Sequence, residues 1–402
     1  MARAARTALV LGLLALAALL GAAAWVLWDT DVPAGLRLPG IEASDVLDAR
    51  LLEEARDYEF FLRISFLVSL VVVIVVFAFY SRFGGRFVRE SAAGRIGTGM
   101  LLGMLGLGIL WLVQTPFGLV DHWWARRHDV SELGYGDWLI FNWFALGGEF
   151  LFICLALLIV MGLAGRLRFW WWVPGGVVFT GLVALFTFVS PYMIPAQEEP
   201  PPWVVDQANQ LAAEQGLPEI PVRVQVVESW EAPNAAATGL GPTRRIILWD
   251  TMLVSFGEDE ITVVLGHELG HHSADHLWKN IGWYALFAFP GALLIALVTR
   301  RRGGMREPLA VPLALLVFVV LQTVALPLQN AITRHMEEEA DWIALETTQD
   351  PDGARNLFQG FAREALIDPD PPWWSYHLME THPVMVDRVA MAEAWRDRRR
   401  EP

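Results

Sequence analysis

His267-Glu268-Leu269-Gly270-His271 is the stretch on which the reading of the whole chain turns. In a helix, positions i and i+4 lie roughly 40° apart on one face. Two imidazoles at that spacing reach one metal ion, and Glu268 beside them can take a proton from water. The surrounding residues predict a helix from about Glu258 to His276. It opens on Glu258, Asp259 and Glu260, acids that suit a positive helix N-terminus. His272 is the rival second ligand, but i+5 lies about 140° away on the helical wheel. The pair is therefore His267 and His271. A second acidic pattern, Glu337 and Asp341 as E-x-x-x-D, directly follows a long apolar run.

Outward from this motif, the chain is apolar for its length: 54% of its 402 residues are hydrophobic, in blocks. There are 19 tryptophans, several at block ends, where bilayer interfaces favour them. Trp170-Trp171-Trp172 beside Arg166 and Arg168 reads as such an interface. The formal net charge of −14 excludes a nucleic-acid binder, which needs a basic face. The single cysteine, Cys154, lies inside an apolar block and permits neither an intramolecular disulfide nor a cysteine zinc site. Lys279 stands alone among many arginines, a balance that hints at a GC-rich bacterial genome.

A membrane-crossing helix needs about 20 apolar residues. The spans expected are Ala8–Trp28, Ile64–Tyr80, Ile96–Val120, Trp138–Gly165, Phe169–Ile194, Ile281–Thr299 and Pro308–Thr333. The first also reads as a signal peptide, with Arg3 and Arg6 before an Ala/Leu run and Ala22-Ala23-Ala24 as a cleavage site. A retained helix is preferred because more spans follow. Arginines mark alternate connections: Arg3 and Arg6, then Arg82, Arg86, Arg89 and Arg95, then Arg166 and Arg168, then Arg300, Arg301, Arg302 and Arg306. The positive-inside rule places these in the cytoplasm and the metal motif on the opposite, non-cytoplasmic side. The expected location is a bacterial inner membrane. Glu149 within the fourth span is an intramembrane carboxylate. Pro290, Pro312 and Pro327 are expected to kink their helices.

Residues 1–194 thus hold transmembrane helices one to five. Residues 195–280 form an extramembrane metallopeptidase segment: a Pro/Glu linker, an amphipathic helix near Trp203–Gln215, and strands at Val222–Val227 and Arg244–Trp249. Residues 281–333 carry helices six and seven, and residues 334–402 form a helical segment that completes the metal site. His271 precedes the sixth span by about ten residues and Glu337 follows the seventh by four. An antiparallel pair brings both to one membrane face, each within roughly 6–15 Å of its span end at 1.5 Å per residue. Glu337 is thus the natural third ligand, leaving an open position for water. Glu338 and Glu339 compete by composition, but Glu337 and Asp341 share a face at i, i+4. Asp341 is expected to accept from a ligand imidazole and fix its tautomer, and His276 and Asp275 read equally as further outer partners or as a polar helix end.

At this point the chain resembles the type 1 CAAX prenyl endopeptidases, integral-membrane zinc gluzincins related to HtpX-type proteases. Pro233-Asn234-Ala235, Gly239 and Arg245 through Thr251 look like the family's NAxxxG and IxLxDTL region. His267 through His276 matches HELGH-x4-H. Glu337, Glu338, Glu339, Ala340 and Asp341 match ExxAD, and His382, Pro383 and Arg388 match the C-terminal HP…R pattern. The resemblance covers residues 195 to 395. It implies that Asn234 and Ala235 lie on an edge strand that receives substrate backbone, and that His382 and Arg388 serve the substrate or the transition-state oxyanion. Ala236 departs from the aromatic common there, and Arg63 opens the second span.

The fold expected is mainly α: a polytopic membrane protein of about seven transmembrane helices with a zincin-like HExxH domain carrying a small β-sheet. The function expected is a membrane-embedded zinc metalloendopeptidase. One Zn²⁺ on His267, His271 and Glu337 activates water, and Glu268, His382 and Arg388 carry the catalysis. Its partners are a peptide or protein substrate, with membrane-associated and lipidated ones among the classes considered, and the lipid bilayer. The alternatives are an HtpX-like quality-control protease for misfolded membrane proteins and a non-catalytic zinc-binding scaffold. Against the scaffold, a purely structural site has no use for a carboxylate between its ligands.

Overall fold

The computed structural model describes residues 18–86, 93–227 and 232–400. Five helical segments in it are long and apolar enough to cross a membrane. Ala49–Phe83 (α1) and Gly94–Arg127 (α2) are the first two. Next come Tyr135–Leu167 (α3) and Trp172–Val189 (α4), which together form one continuous apolar segment, Tyr135–Tyr192. The expected fourth and fifth spans correspond to α3 and α4, separated at Arg168, whose φ of 53° ends α3. The expected first span falls partly outside the described residues, as do Arg3, Arg6 and Arg89. Its described end is the short apolar helix Ala18–Leu27.

A four-stranded sheet follows, of order β1-β2-β4-β3. Gln197–Glu198 (β1) comes out of the expected linker, ahead of the amphipathic helix Pro202–Glu214 (α5). Val222–Gln225 (β2) lies in the middle of the sheet. Ala235–Thr238 (β3) forms an edge, and Arg245–Trp249 (β4) separates it from β2. β2 and β4 are parallel, whereas β3 and β4 are antiparallel with Ala235 opposite Leu248. The alternating burial of Val222 and Val224 on β2 places one face of the sheet on a core. That core joins Leu211, Ile246, Leu265, Leu269 and Phe358.

Glu258–Ser273 (α6) carries the HExxH motif. It ends earlier than the sequence suggests: Asp275 takes a left-handed φ of 54°, and a new helix, His276–Thr299 (α7), starts at His276. The last long helix, Val311–Thr348 (α8), runs without a break from its apolar start through Glu337 and Asp341. The seventh span and the expected C-terminal segment therefore share one rigid rod, and the boundary expected at residue 333 falls inside it. Pro312 does not kink this helix. It sits in the first turn, where its missing N–H has no intrahelical acceptor to serve. Pro290 and Pro327 do lie inside α7 and α8. Pro351–Glu364 (α9) and Met385–Arg400 (α10) pack against each other and close the extramembrane core.

The arginine-bearing turns meet at one end of the helical bundle. Arg302 Nη1 donates to the Ser81 carbonyl at 2.7 Å, the Arg300 guanidinium covers the Phe169 ring at 5.1 Å, and Arg95 faces Glu307 at 3.8 Å. The HExxH helix lies at the other end of α7 and α8. Arg63, the charge at the start of the expected second span, is buried and paired with Glu59 and with Asp368 at 3.1 Å. Its charge is neutralised within the protein and does not face lipid.

Candidate metal centre

α6 and α8 cross closely because small residues face each other. A Cβ on Gly270 would stand 3.3 Å from the Ala340 backbone, and one on Gly266 would stand 3.2 Å from the Thr348 side chain. Across this contact His267, His271 and Glu337 converge, with one potential ligand atom from each lying within 4.8 Å of the others. His267 Nε2 is 3.2 Å from Glu337 Oε2, and His271 Nε2 is 3.5 Å from Glu337 Oε1. The two Nε2 atoms are 3.2 Å apart.

Each imidazole is held from behind. His267 Nδ1 donates to Asp341 Oδ1 at 2.8 Å, and Asp341 in turn accepts two bonds from Arg388, at 2.7 and 2.8 Å. His271 Nδ1 is 2.8 Å from His276 Nδ1, and His276 Nε2 donates to Glu339 Oε2 at 2.9 Å. With both Nδ1 atoms so engaged, both Nε2 lone pairs turn toward Glu337. Glu337 Oε2 is buried with no hydrogen-bond donor. Two imidazole nitrogens and a carboxylate packed this tightly with an orphaned oxygen fit a dication with mixed N/O preference. The protonation balance agrees. Burial alone would lower the His267 pKa, but Asp341 and Glu337 outweigh it and lift it to about 10, a demand for positive charge at this spot. Burial takes His271 down to about 3, leaving a free base.

Glu268 is buried beside the histidines. Burial pushes its pKa up to about 7, against the opposing pull of His267. The Ala237 backbone on edge strand β3 offsets part of that rise. A cavity of about 400 Å³ opens here, lined among others by Asn234, Ala235, Glu268, His382 and Arg388. Asn234 accepts from the Ala235 N–H at 2.9 Å through its own side chain, and its backbone carbonyl pairs with Trp249. His382 Nε2 stands 3.3 Å from Glu337 Oε2, with its side chain 54% exposed to the cavity. The loop bearing His382 is tied to α8 by Arg334, which donates to the Tyr376 and Glu380 carbonyls at 2.9 and 2.6 Å.

Other sequence candidates lie elsewhere. His272 bonds the Arg245 carbonyl at 3.2 Å on the far side of α6, and Asp275 pairs with Arg244 at 3.0 Å at the surface. Glu149 is exposed on α3 and does not line this cavity. Glu339, which sequence reading weighed only as a rival ligand, is instead the acceptor behind His276. No spacing in the chain signals that pairing, because the partners are 63 residues apart on different helices. Arg334 was missed for the same reason: its acceptors are backbone carbonyls of a distant loop.

Comparison with known proteins gives three kinds of match. The sequence profile of Peptidase family M48 matches residues 198–396. The "Uncharacterized metalloprotease YhfN" of Bacillus subtilis (strain 168) is 27% identical over 298 residues, 70% of each chain. A "Protease HtpX homolog" of Kineococcus radiotolerans is 30% identical over 210 residues, covering 46% of this chain and 69% of the relative. The crystal structure of S. mikatae Ste24p superposes with a TM-score of 0.68 over 93% of this chain and 96% of that one, at 18% identity. The last match shows a shared fold, membrane helices included.

Proposed function

The chain belongs to peptidase family M48 as an integral-membrane metalloprotease, and from that membership and the geometry of the site we propose that it is a zinc-dependent endopeptidase. His267, His271 and Glu337 hold the ion. The observation that carries the reading is the Glu337 carboxylate, whose Oε2 is buried without a donor and whose two oxygens lie 3.2 and 3.5 Å from the His267 and His271 Nε2 atoms. A zinc ion bound there supplies Lewis acidity, which polarises a carbonyl and acidifies water. Glu268 takes the proton of the attacking water and passes it to the leaving amine. An extended peptide lies along the open edge of β3 near Asn234 and Ala235, held by main-chain hydrogen bonds. His382, exposed to the cavity, donates to the developing oxyanion. Asp341 fixes the His267 tautomer and Arg388 fixes Asp341, so Arg388 serves the reaction by holding its neighbour. His276 plays the corresponding part for His271.

The test is Glu268→Gln. The purified variant is expected to keep one zinc per chain and to lose cleavage of an unstructured peptide by at least about a hundredfold. In the wild type, the base must be ionised, so kcat/KM is lost as pH falls through the Glu268 pKa. Burial raises that value to about 7 and a neighbouring dication lowers it again, which puts the acid limb below about pH 7. A variant that still turns over, or an acid limb well above pH 7, would remove Glu268 from this role.

Two substrate classes fit the same chemistry. Prenylated CAAX peptides follow from the family resemblance, and unfolded membrane proteins follow from the likeness to an HtpX homologue. Parallel cleavage assays with a farnesylated CAAX peptide and an unfolded membrane protein separate them. The arrangement of arginines at the opposite end of the bundle supports a site on the non-cytoplasmic face.

A further inference from the structure

Behind the metal ligands lies a structure that no motif accounts for. Residues 28–31, just after the helix Ala18–Leu27, cross the groove between α7 and α8. Lys279 and Trp283 share a face of α7 at i, i+4, and His335 and Glu339 share a face of α8 in the same way. The crossing segment touches all four. The Trp28 ring stacks on His335 with centroids 4.2 Å apart and planes 8° from parallel, and meets Trp283 edge-on at 6.2 Å. The Trp28 carbonyl accepts from His335 Nε2 at 2.9 Å, and the Asp29 carbonyl accepts from Lys279 Nζ at 2.9 Å. The Asp31 N–H donates to Glu339 Oε1 at 2.8 Å.

Glu339 is the hub of these contacts. Its Oε1 is taken by Asp31, while its Oε2 accepts from Lys279 at 3.1 Å and from His276 at 2.9 Å. It is 2% exposed, a charge kept in the interior because three donors satisfy it. The proton order is fixed. If His271 Nε2 faces the ion, its Nδ1 carries the proton and donates to His276 Nδ1. The His276 proton then sits on Nε2 and points at Glu339. One unbroken line of hydrogen bonds joins the N-terminal crossing to a metal ligand.

We propose that Glu339 is a positioning residue of the metal centre, and that residues 28–31 clip α7 to α8 so that Glu339 and His276 hold His271 in its ligating tautomer. The proposal rests on His267, His271 and Glu337 being the metal ligands. It makes the N-terminal segment, remote in sequence, part of what retains the ion. Outer partners of ligand histidines are worth 10- to 100-fold in metal affinity, and Glu339 acts one residue further back. About tenfold is therefore the expected loss.

The experiment measures zinc affinity of the full-length protein by competition with a chelator, alongside the visible absorption of the cobalt-substituted form. Glu339→Gln is nearly isosteric but cannot match the charge of Lys279 or serve three donors. It is expected to raise the zinc dissociation constant about tenfold and to shift the cobalt bands, with the thermal midpoint of the zinc-saturated protein little changed. Asp31→Pro, which deletes the backbone donor together with the Asp31 side chain, should act in the same direction. If that variant does not fold, Lys279→Met cuts the neighbouring ties of the clip, to the Asp29 carbonyl and to Glu339 Oε2, from the α7 side, and Lys279→Arg should restore affinity. Wild-type zinc affinity and unshifted cobalt bands in Glu339→Gln would overturn the positioning role. Wild-type affinity in both Asp31→Pro and Lys279→Met would overturn the clip. A wild type that takes up no zinc at all would instead overturn the ligand assignment on which the proposal rests.

Discussion

His382 and Arg388 belong to one sequence pattern, yet their surroundings differ sharply. His382 has a side chain 54% exposed at the cavity mouth, whereas Arg388 is 6% exposed and committed through Nε and Nη2 to Asp341. The consequences of truncation should differ accordingly. Arg388→Ala leaves the buried Asp341 carboxylate without its cation, a change that typically costs about 3–5 kcal/mol. His382→Ala breaks no buried pair and should leave stability within about 0.5 kcal/mol while lowering kcat by about 10²–10³. Urea unfolding and peptide-cleavage kinetics on both variants check this. A stable Arg388→Ala, or a His382→Ala with normal kcat, would refute the division of labour. At this scale the HExxH and ExxxD faces were legible from spacing, since both are local geometry, and the structure brings His267, His271 and Glu337 together. The tie between His276 and Glu339 was not, because it joins residues 63 positions apart.

The meeting of α6 and α8 sets the distance between the histidines and Glu337. Gly266 and Gly270 face Ala344 and Ala340, and the gap has no room for a larger side chain. Gly270→Leu would have to force the helices apart, with an overpacking cost of about 1–3 kcal/mol. The separation falls directly on His267, His271 and Glu337, the proposed metal ligands that flank the contact. The variant should therefore lose zinc as well as stability, seen as a lower thermal midpoint and less than one zinc per chain after dialysis. A Gly270→Leu protein that keeps both would mean that the contact does not control the site. The sequence shows a glycine inside HExxH but not what lies against it. Nor does it show that α8 is continuous through residue 333: apolar composition ends near there, but nothing breaks the helix until Gln349, at φ 54°.

Taken whole, the molecule is a bundle with chemically distinct ends. Arginine turns gather at one end, and the sheet, the cavity and the HExxH helix lie at the other. Between them the apolar helices leave residues such as Phe144, Leu151 and Phe186 exposed, as a lipid-facing surface requires. Sidedness can be read with single cysteines in a Cys154→Ser background. Glu199→Cys on the sheet end and Arg301→Cys at the arginine end are both exposed positions. In vesicles of known orientation, an impermeant maleimide should label Glu199→Cys only from the non-cytoplasmic side and Arg301→Cys only from the cytoplasmic side. The reverse pattern would overturn the orientation.

By itself the sequence determined the membrane class, the HExxH helix and the strands β2 and β4, because hydropathy, helical spacing and β-branched runs act over short stretches. It could not determine that α6 packs on α8 through Gly266 and Gly270, or that residues 28–31 reach Glu339. Those depend on close packing between segments tens to hundreds of residues apart, where complementary shape and the pairing of buried charges choose the partners.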